Sequence, residues 1–229
     1  MSRPYFRQVP DFLYVNRKPG EKTISDYSQV KNLFKRAKLR EDIYSNLSYF
    51  TKYKITGDER PDNVAEKVYN DPTLDWVILL SNNITNIQTE WPITEQSYHN
   101  FLLEKYGSEE KIHAVHHYEC TGVKNIVGGT IVQEGLRVPV GFAVTYYDSN
   151  LASTVSVGGT HSSIIKEVTN LDYENEIQDK KRNIFLLKTE YLNVVFNDLD
   201  DIMEYKKGST QYVSETLKRA ENIRLYPNS

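Results

Sequence analysis

The stretch from Tyr53 to Ile84 constrains the fold of this chain more than any other part of the sequence. It begins with a short β-prone run that ends in a Thr56-Gly57-Asp58 turn. Two helical segments follow, separated by Asn70-Asp71-Pro72, and the second is apolar on almost every side, which requires burial. Ile84 is placed to begin a returning strand, so the sequence predicts a compact βααβ unit over residues 50–85. The residues predicted to form its core are Val64, Val68, Trp76 and Leu79.

The order of these elements, with Gly57-Asp58 in the first loop and Asn82-Asn83-Ile84 at the end, resembles a LysM module. LysM modules elsewhere bind chains of N-acetylglucosamine, so the resemblance leaves two kinds of ligand open, a sugar or a protein. The first loop offers Asp58 and the second offers Asn82 and Asn83, and neither loop has an evident aromatic platform for a sugar ring. We therefore expect these three residues to contact protein.

Composition and charge favour a protein that interacts with other proteins. The chain holds 17 Tyr against 8 Phe and 2 Trp, and tyrosine suits interfaces because its ring is large and keeps a polar tip. The net charge is −3, yet residues 1–60 hold 13 Lys and Arg against 7 Asp and Glu. A basic cluster is formed by Lys31, Lys35, Arg36, Lys38 and Arg40. One short cluster on a net acidic chain is a poor footprint for nucleic acid, so we expect a solvated face or a dock for an acidic protein.

The sequence shows no sign of export or of membrane insertion. The single cysteine, Cys120, excludes an internal disulfide and fits a reducing compartment. The N-terminal residues lack the apolar run of a signal peptide, and no window approaches the roughly 20 apolar residues of a membrane span. We expect the protein to be made and assembled in a cytoplasm.

The predicted fold class is α+β, in which a small LysM-like βααβ module is flanked by helices, a β-rich insertion and a C-terminal amphipathic helix. Four regions that differ in residue composition and pattern follow one another along the chain. In order, they are an extended N-terminal arm over residues 1–24, a helix plus the LysM-like module (about 50–85) and the following helix over residues 25–107, a β-rich insertion over residues 108–170, and a C-terminal helical region over residues 171–229.

Helices outside the module are predicted from apolar spacing and end signals. A helix or helix pair is predicted over residues 26–47, and another helix begins after Thr94 and ends at Gly107. The clearest amphipathic helix runs from Thr189 to Tyr205, with apolar residues at helical spacing along one face. A weaker helix is predicted from Val213 to Leu225.

The predicted N-terminal arm is interrupted by prolines yet loaded with apolar side chains. A disordered tail would be polar, so an apolar segment of this kind is expected to lie along a protein surface. Because it cannot build a core of its own, we expect it to be mobile in the free protein and to order against partner proteins. Its candidate interface residues are Tyr5, Phe6, Phe12 and Tyr14.

No catalytic, cofactor or metal centre is predicted. The most tempting metal signal is the run of His113, His116, His117 and Cys120, but in a β-prone segment the side chains of His116 and His117 would point to opposite faces. The sequence contains no G-x-S-x-G elbow, no H-E-x-x-H and no G-x-x-x-x-G-K-[ST]. We therefore expect a protein that is not an enzyme.

Sequences flanking the module extend the resemblance to a whole family. The basic segment, the run DPTLDWVILLSNN over residues 71–83 and the following Trp-Pro turn resemble the LysM-containing baseplate wedge protein of T-even-type contractile-tailed phages. The stretch ENEIQDKKRNIFLLKTEYLNVVFNDLDDIMEY over residues 174–205 is similar to the end of that protein. The N-terminal YFRQVPDFLYVNR resembles the version found in phages of cyanobacteria. The resemblance covers residues 1–107 and 170–206.

The resemblance implies a structural virion protein of the tail baseplate. Such a protein would clamp other wedge subunits, namely helical-bundle subunits and the small sheath-initiating wedge protein, and would link neighbouring wedges around the hub. It implies no nucleic acid, membrane or cofactor. The alternative is a peptidoglycan-binding tail component that uses the LysM module for cell-wall recognition. A glycosidase domain would favour that alternative, and the sequence lacks one.

Overall fold

The computed structural model describes residues 3–16, 26–159, 164–208 and 211–219. Its α-helices are α1 (Tyr5–Gln8), α2 (Glu41–Tyr44), α3 (Pro61–Tyr69), α4 (Asp75–Ser81), α5 (Ile87–Glu90), α6 (Glu95–Tyr106), α7 (Glu109–Ile112), α8 (Asn170–Arg182) and α9 (Leu192–Met203). Its strands are β1 (Asp11–Asn16), β2 (Asp26–Lys31), β3 (Phe50–Lys54), β4 (Val115–Cys120), β5 (Val123–Lys124), β6 (Thr130–Val132), β7 (Arg137–Val138), β8 (Ala143–Asp148), β9 (Ser153–Gly158), β10 (Ile165–Thr169), β11 (Asn183–Leu187), β12 (Tyr212–Ser214) and β13 (Leu217–Arg219). Single 3₁₀ turns lie at Leu47–Tyr49, Pro72–Leu74 and Thr189–Tyr191.

These elements form two compact units. The first unit consists of the described residues within 1–91 and 182–229, and the second consists of those within 92–181. The predicted boundaries at 107/108 and 170/171 both lie inside the second unit. The reason is that α6 and α8 are joined around Glu174, whose carboxylate accepts hydrogen bonds from Lys105 and Tyr106 at 2.5 and 2.8 Å.

A four-stranded sheet in the first unit replaces two of the predicted helices. Its strand order is β12-β13-β1-β2, with β1 antiparallel to β2 and parallel to β13. The helix predicted over residues 26–47 is therefore wrong, since residues 26–31 pair with β1 and α2 is a single turn. The helix predicted from Val213 to Leu225 is also wrong as far as residue 219, because these residues belong to β12 and β13 and the turn between them. The rest of the predicted helix lies outside the described residues. Pairing with β1 decides the conformation of both segments, and helical spacing of apolar residues does not.

The βααβ order is present, but its second strand is not the predicted one. Strand β3 and helices α3 and α4 follow one another as expected. The antiparallel partner of β3 is β11, with Phe50 opposite Leu187. The closing strand therefore lies about 100 residues after Ile84, where it was predicted to begin. Ile84 is not in a strand, and its N–H donates to the Leu79 carbonyl at 2.8 Å to close the end of α4. The prediction of a returning strand at Ile84 is wrong.

The core of the first unit surrounds α4. Val64 and Trp76 are buried as predicted, while Val68 and Leu79 are partly buried and pack against the same cluster. The amphipathic helix predicted near the C-terminus is present as α9 and buries one face. Other buried members of this core include Val9, Val77, Ile78, Leu186, Leu187, Val195, Leu199 and Met203.

The second unit combines helices with short strands. Helix α6 is present as predicted and ends at Gly107, whose φ of 83° is the left-handed conformation that glycine adopts without strain. The strands form a three-stranded sheet of order β10-β4-β7 and the hairpins β5-β6 and β8-β9. A small core lies between them, made of Cys120, Val123, Val138 and Ile164. In both units, none of the helices within the described ranges is long and apolar enough to cross a membrane.

Candidate protein-interaction surface

Residues 3–9 lie against α4 and belong to the fold of the first unit. The indole Nε1 of Trp76 donates to the Arg3 carbonyl at 2.9 Å, and the Tyr5 ring lies 5.9 Å from the indole. The Tyr5 hydroxyl accepts the Ala37 N–H at 3.0 Å, and Val9 is only 1% exposed. The sequence predicted an arm that has no core of its own. For residues 3–9 this prediction is corrected, because these contacts place the segment in the core of the first unit.

A salt bridge and a ring contact hold the same segment on α9. The Arg3 guanidinium forms an ion pair with Asp200 at 3.1 Å and lies 5.0 Å from the centre of the Phe196 ring. Both partners are exposed enough that the ion pair adds little stability by itself. Its effect is to fix the direction in which the chain leaves Trp76.

The N-terminal segment and α4 form the two walls of an open groove of about 1000 Å³, which we name the α1–α4 groove. Its remaining sides come from the loop after β2 and from residues 84–87. Apolar residues that line it include Tyr5, Phe6, Leu33, Trp76, Leu79 and Ile87. Phe6 and Leu33 are 64% and 70% exposed, and contiguous apolar exposure of this kind marks interaction sites.

The charged side chains at this groove are mostly basic. Lys31 is paired with Asp11 at 3.0 Å. Lys35 donates to the carbonyl of Ile202 in the last turn of α9 and to that of Glu204 just after the helix, both at 2.8 Å. Burial lowers the pKa of Lys35, and cations at a helix C-terminus are favourable. The ammonium groups of Lys31 and Lys35 are therefore already bound by other groups of the same chain.

Arg7 and Arg36 also line the groove, and neither forms an ion pair with any residue that the structure describes. A neighbouring depression of about 490 Å³ shares Arg36 with the groove and adds Lys38 and Asn83. Among the described residues that line the groove, Asp75 is the one carboxylate, and its pKa is raised by burial. Arg36 is also attracted by Glu90 and contributes to lowering the pKa of that carboxyl group. The α1–α4 groove therefore presents apolar surface with the positive charges of Arg7 and Arg36 beside it.

The structure places the predicted interface residues in five different environments. Tyr5 and Phe6 lie in the α1–α4 groove, and Asn83 lies in the neighbouring depression. Phe12 and Tyr14 lie on β1 with their rings 6.3 Å apart, and Tyr14 is exposed. Asp58 is exposed in the loop after β3. Asn82 is half-buried beneath the surface.

Asn82 fastens the end of α4 to β11. Its side-chain amide exchanges two hydrogen bonds of 2.8 Å with the backbone of Phe185 and donates to the Ile78 carbonyl at 2.8 Å. The Asn82 side chain thereby completes the link between the second helix and the distant closing strand. Its neighbour Asn83 has a φ of 53° and reverses the chain after α4.

Replacing Asn82 by aspartate is expected to lower the free energy of unfolding by about 2 kcal/mol, because a carboxylate would face the two carbonyls that the amide now satisfies. Asn83→Gly is the matched control and should leave stability almost unchanged, since glycine adopts positive φ without strain. Urea denaturation followed by circular dichroism measures both. Equal stability of N82D and the native chain would show that these bonds do not hold β11.

Glu59 holds the first loop of the βααβ unit. Its carboxylate accepts hydrogen bonds from Lys67, from the Tyr53 hydroxyl at 2.9 Å and from the Thr56 N–H at 3.2 Å, while its carbonyl accepts Trp91 Nε1 at 2.9 Å. Burial alone would raise the pKa of Glu59, but the hydrogen bonds outweigh it and lower the pKa to about 2. The ionised carboxylate is thus the form that the fold favours.

Glu59 should make the first unit sensitive to acid. Its folded pKa of about 2 lies below its ordinary value of 4.5, so its contribution is complete above pH 4.5 and is lost as the pH falls from there towards 2. We expect Glu59→Gln to lower the free energy of unfolding by about 2 kcal/mol at pH 7, and by much less at pH 2.5. Urea midpoints at several pH values measure this.

Glu66→Gln, on the exposed face of α3, is the control and should change neither the midpoint nor its pH dependence. A loss of stability in E59Q that stays constant between pH 7 and pH 2.5 would contradict the assigned role of the Glu59 carboxylate.

Sequence reasoning missed the exposed apolar residues of the loop after β2. Leu33 and Phe34 belong to the apolar stripe of the helix predicted over residues 26–47, yet Leu33 is 70% and Phe34 92% exposed. The charged residues Lys31, Lys35 and Arg36 around them are the sequence signal that opposes burial.

Three members of the histidine-rich run, His116, His117 and Cys120, lie on β4 in the second unit, and His113 lies at the end of α7. The rings of His116 and His117 meet, with their Nδ1 atoms 2.8 Å apart, which differs from the expected opposite orientation. His116 stacks on Tyr173 at 4.1 Å, and His117 Nε2 lies 3.0 Å from Glu119. Cys120 is buried in the small core. Across the described ranges, His, Cys, Asp and Glu side chains form no group of three or more that could hold a metal ion.

Residues 16–127 match the model of a family described as Base plate wedge protein 53. The chain is also similar to baseplate wedge protein gp53 of Enterobacteria phage T4, with 26% identity over 159 residues, which cover 69% of this chain and 75% of the T4 protein. The family match includes the loop after β2 and helices α3 and α4, and so most of the α1–α4 groove. The two similarities support a baseplate wedge protein of the T4-like kind.

Proposed function

We propose that this chain is a structural component of a phage tail baseplate wedge, which clamps other wedge subunits and links neighbouring wedges around the hub during tail assembly. The observation that carries this proposal is the match of residues 16–127 to the baseplate wedge family, together with the similarity to the T4 protein. The chain acts by binding and positioning other proteins, with no catalytic step and no cofactor. Its place is the tail baseplate of the virion, after assembly in the host cytoplasm.

The βααβ unit is proposed to work as a LysM-like protein clamp. A clamp must keep its shape. Glu59 links Tyr53 on β3 to Lys67 on α3, and Asn82 links the end of α4 to Phe185 on β11. Rigid walls favour binding because less conformational entropy is lost when a partner docks. The proposed partners are the helical-bundle subunits of the wedge and the sheath-initiating wedge protein.

The alternative function is recognition of peptidoglycan by the same unit. The order strand, helix, helix, strand supports it, whereas the loops at residues 55–60 and 82–86 carry no aromatic side chain on which a sugar ring could stack. Titration of the full chain with chitin oligomers, followed by NMR, separates the two functions. We expect no saturable binding, and saturable binding at millimolar concentration or tighter would favour the cell-wall function.

The wedge function is tested in the phage that encodes the chain. Purified tails should contain the protein in the baseplate, visible by electron microscopy and quantified by mass spectrometry. A phage whose gene for this chain carries a stop codon should accumulate incomplete wedges and no baseplates. Intact, contractile tails made without the protein would overturn the proposal.

A further inference from the structure

We infer that the α1–α4 groove binds an acidic amphipathic segment of another wedge protein, with apolar side chains of that segment against Phe6 and Leu33 and its carboxylates against Arg7 and Arg36. This inference rests on the proposed wedge function, and it specifies which face of the chain is used and the chemistry of the partner.

The first argument is the apolar surface that the groove leaves uncovered. Phe6, Leu33 and Ile87 are 64%, 70% and 45% exposed, although they line the same groove as the buried Trp76. Large side chains beside a formed core are suited to bury an apolar face of a partner, since each adds binding energy once water is excluded. The walls of the groove are already fixed by the bonds from Trp76 and Tyr5, so docking requires little ordering.

The second argument is charge. Among the cations that line the groove, Lys31 and Lys35 are engaged by Asp11 and by the carbonyls of α9. Within the described residues, Arg7 and Arg36 form no direct ion pair, and Arg36 is attracted only at longer range by Glu90. The part of the lining that the structure describes holds one carboxylate, Asp75. Guanidinium groups bind carboxylates in a planar, two-point geometry, so complementary charge on the partner is carboxylate.

Charge and shape together favour protein over nucleic acid. A phosphate backbone needs a continuous line of available cations, and two of the four cations of this groove are already engaged. Besides Arg7 and Arg36, the lining includes the apolar side chains of Phe6, Leu33 and Ile87, which suit the apolar face of an amphipathic segment. The depression beside the groove is lined by Lys38 and Tyr44 but also by the carboxylate Glu41, and therefore has mixed charge.

The partner can be identified inside assembled tails. A photo-reactive phenylalanine analogue is placed at Phe6 or at Leu33 in the full chain, tails are purified from infected cells and irradiated, and the joined peptides are sequenced by mass spectrometry. We expect both positions to join one segment of another wedge protein, in which apolar residues alternate with Asp and Glu. The analogue at Leu47, which is 67% exposed outside the groove, is the control and should not join that segment.

Three results would overturn the inference while leaving the wedge function intact. They are crosslinks from Phe6 and Leu33 to a second copy of this chain, crosslinks to a basic or uncharged segment, and tails that contain the protein without any crosslink from either position. Absence of the protein from purified tails would instead overturn the proposed function, and with it this inference. The two failures are therefore distinguishable.

Charge reversal tests the role of the two arginines. Arg7→Glu with Arg36→Glu should lower incorporation into tails at least tenfold, measured by mass spectrometry against the native chain. Lys52→Glu with Lys54→Glu changes the charge equally on the exposed side of β3 and should leave incorporation within twofold. Both variants should melt like the native chain. Incorporation of the R7E/R36E chain at the native level would overturn the inference.

Discussion

Replacing Trp76 by alanine is expected to lower the free energy of unfolding of the first unit by about 3–5 kcal/mol, the range for removal of a large buried aromatic side chain. Trp76 is 5% exposed, packs against Tyr5 and Phe196 with ring centres 5.9 and 6.1 Å away, and donates its Nε1 hydrogen to Arg3. Its loss would leave a cavity between the N-terminal segment, α4 and α9. Urea denaturation of the full chain, followed by far-ultraviolet circular dichroism, measures the change.

Trp76→Phe separates packing from the hydrogen bond. The smaller ring keeps most of the apolar contact but loses the donor to the Arg3 carbonyl, so we expect a loss of about 1–2 kcal/mol. Equal stability of the alanine variant and the native chain would place Trp76 outside the core and would contradict the structure.

Removing residues 2–9 is expected to destabilise the first unit by at least about 3 kcal/mol. The deletion removes Val9, a buried side chain whose full burial contributes about 1.5–3 kcal/mol. It leaves the Trp76 indole N–H without its acceptor. It also removes the Tyr5 ring from the core. The expectation from the sequence was the opposite, since an arm that orders only on partners could be deleted without effect on the fold.

Phe6→Ser is the control for the deletion. Phe6 is 64% exposed, and exposed substitutions usually change stability by less than about 0.5 kcal/mol. The two variants should therefore differ in thermal midpoint and in amide hydrogen exchange around Trp76. If the truncated chain melted like the native one, the prediction that the N-terminal arm is mobile in the free protein would be supported.

Local signals predicted the elements whose fold is decided locally. Helix α3 ends at the left-handed Asn70 and α6 ends at Gly107, and both ends follow from residue type and spacing. The start of α3 at Pro61 lies before Asp62 and Asn63, the two residues expected from the sequence to cap this helix. The buried face of α9 follows from apolar residues at helical intervals. The place of Trp76 in the core was predicted from the apolar character of the segment around it.

Non-local pairing explains what the sequence did not reveal. Strand β3 pairs with β11, and β1 pairs with β13 near the other end of the chain, so neither partner could be identified from neighbouring residues. The same holds for the α1–α4 groove, which requires Tyr5, Leu33 and Trp76 to meet from three separate segments. Only its basic character could be predicted, from the cluster that contains Arg36.

The pairing of β3 with β11 also sets the order of events during synthesis. Tyr53 lies opposite Ile184, so the ribosome must translate more than 100 further residues before the strand that closes the βααβ unit exists. At about 5–20 residues per second this delay is on the order of ten seconds. During it, the apolar surface around Trp76 and Ile78 lacks α9 and β11, which makes the nascent chain prone to aggregation and a natural client of chaperones.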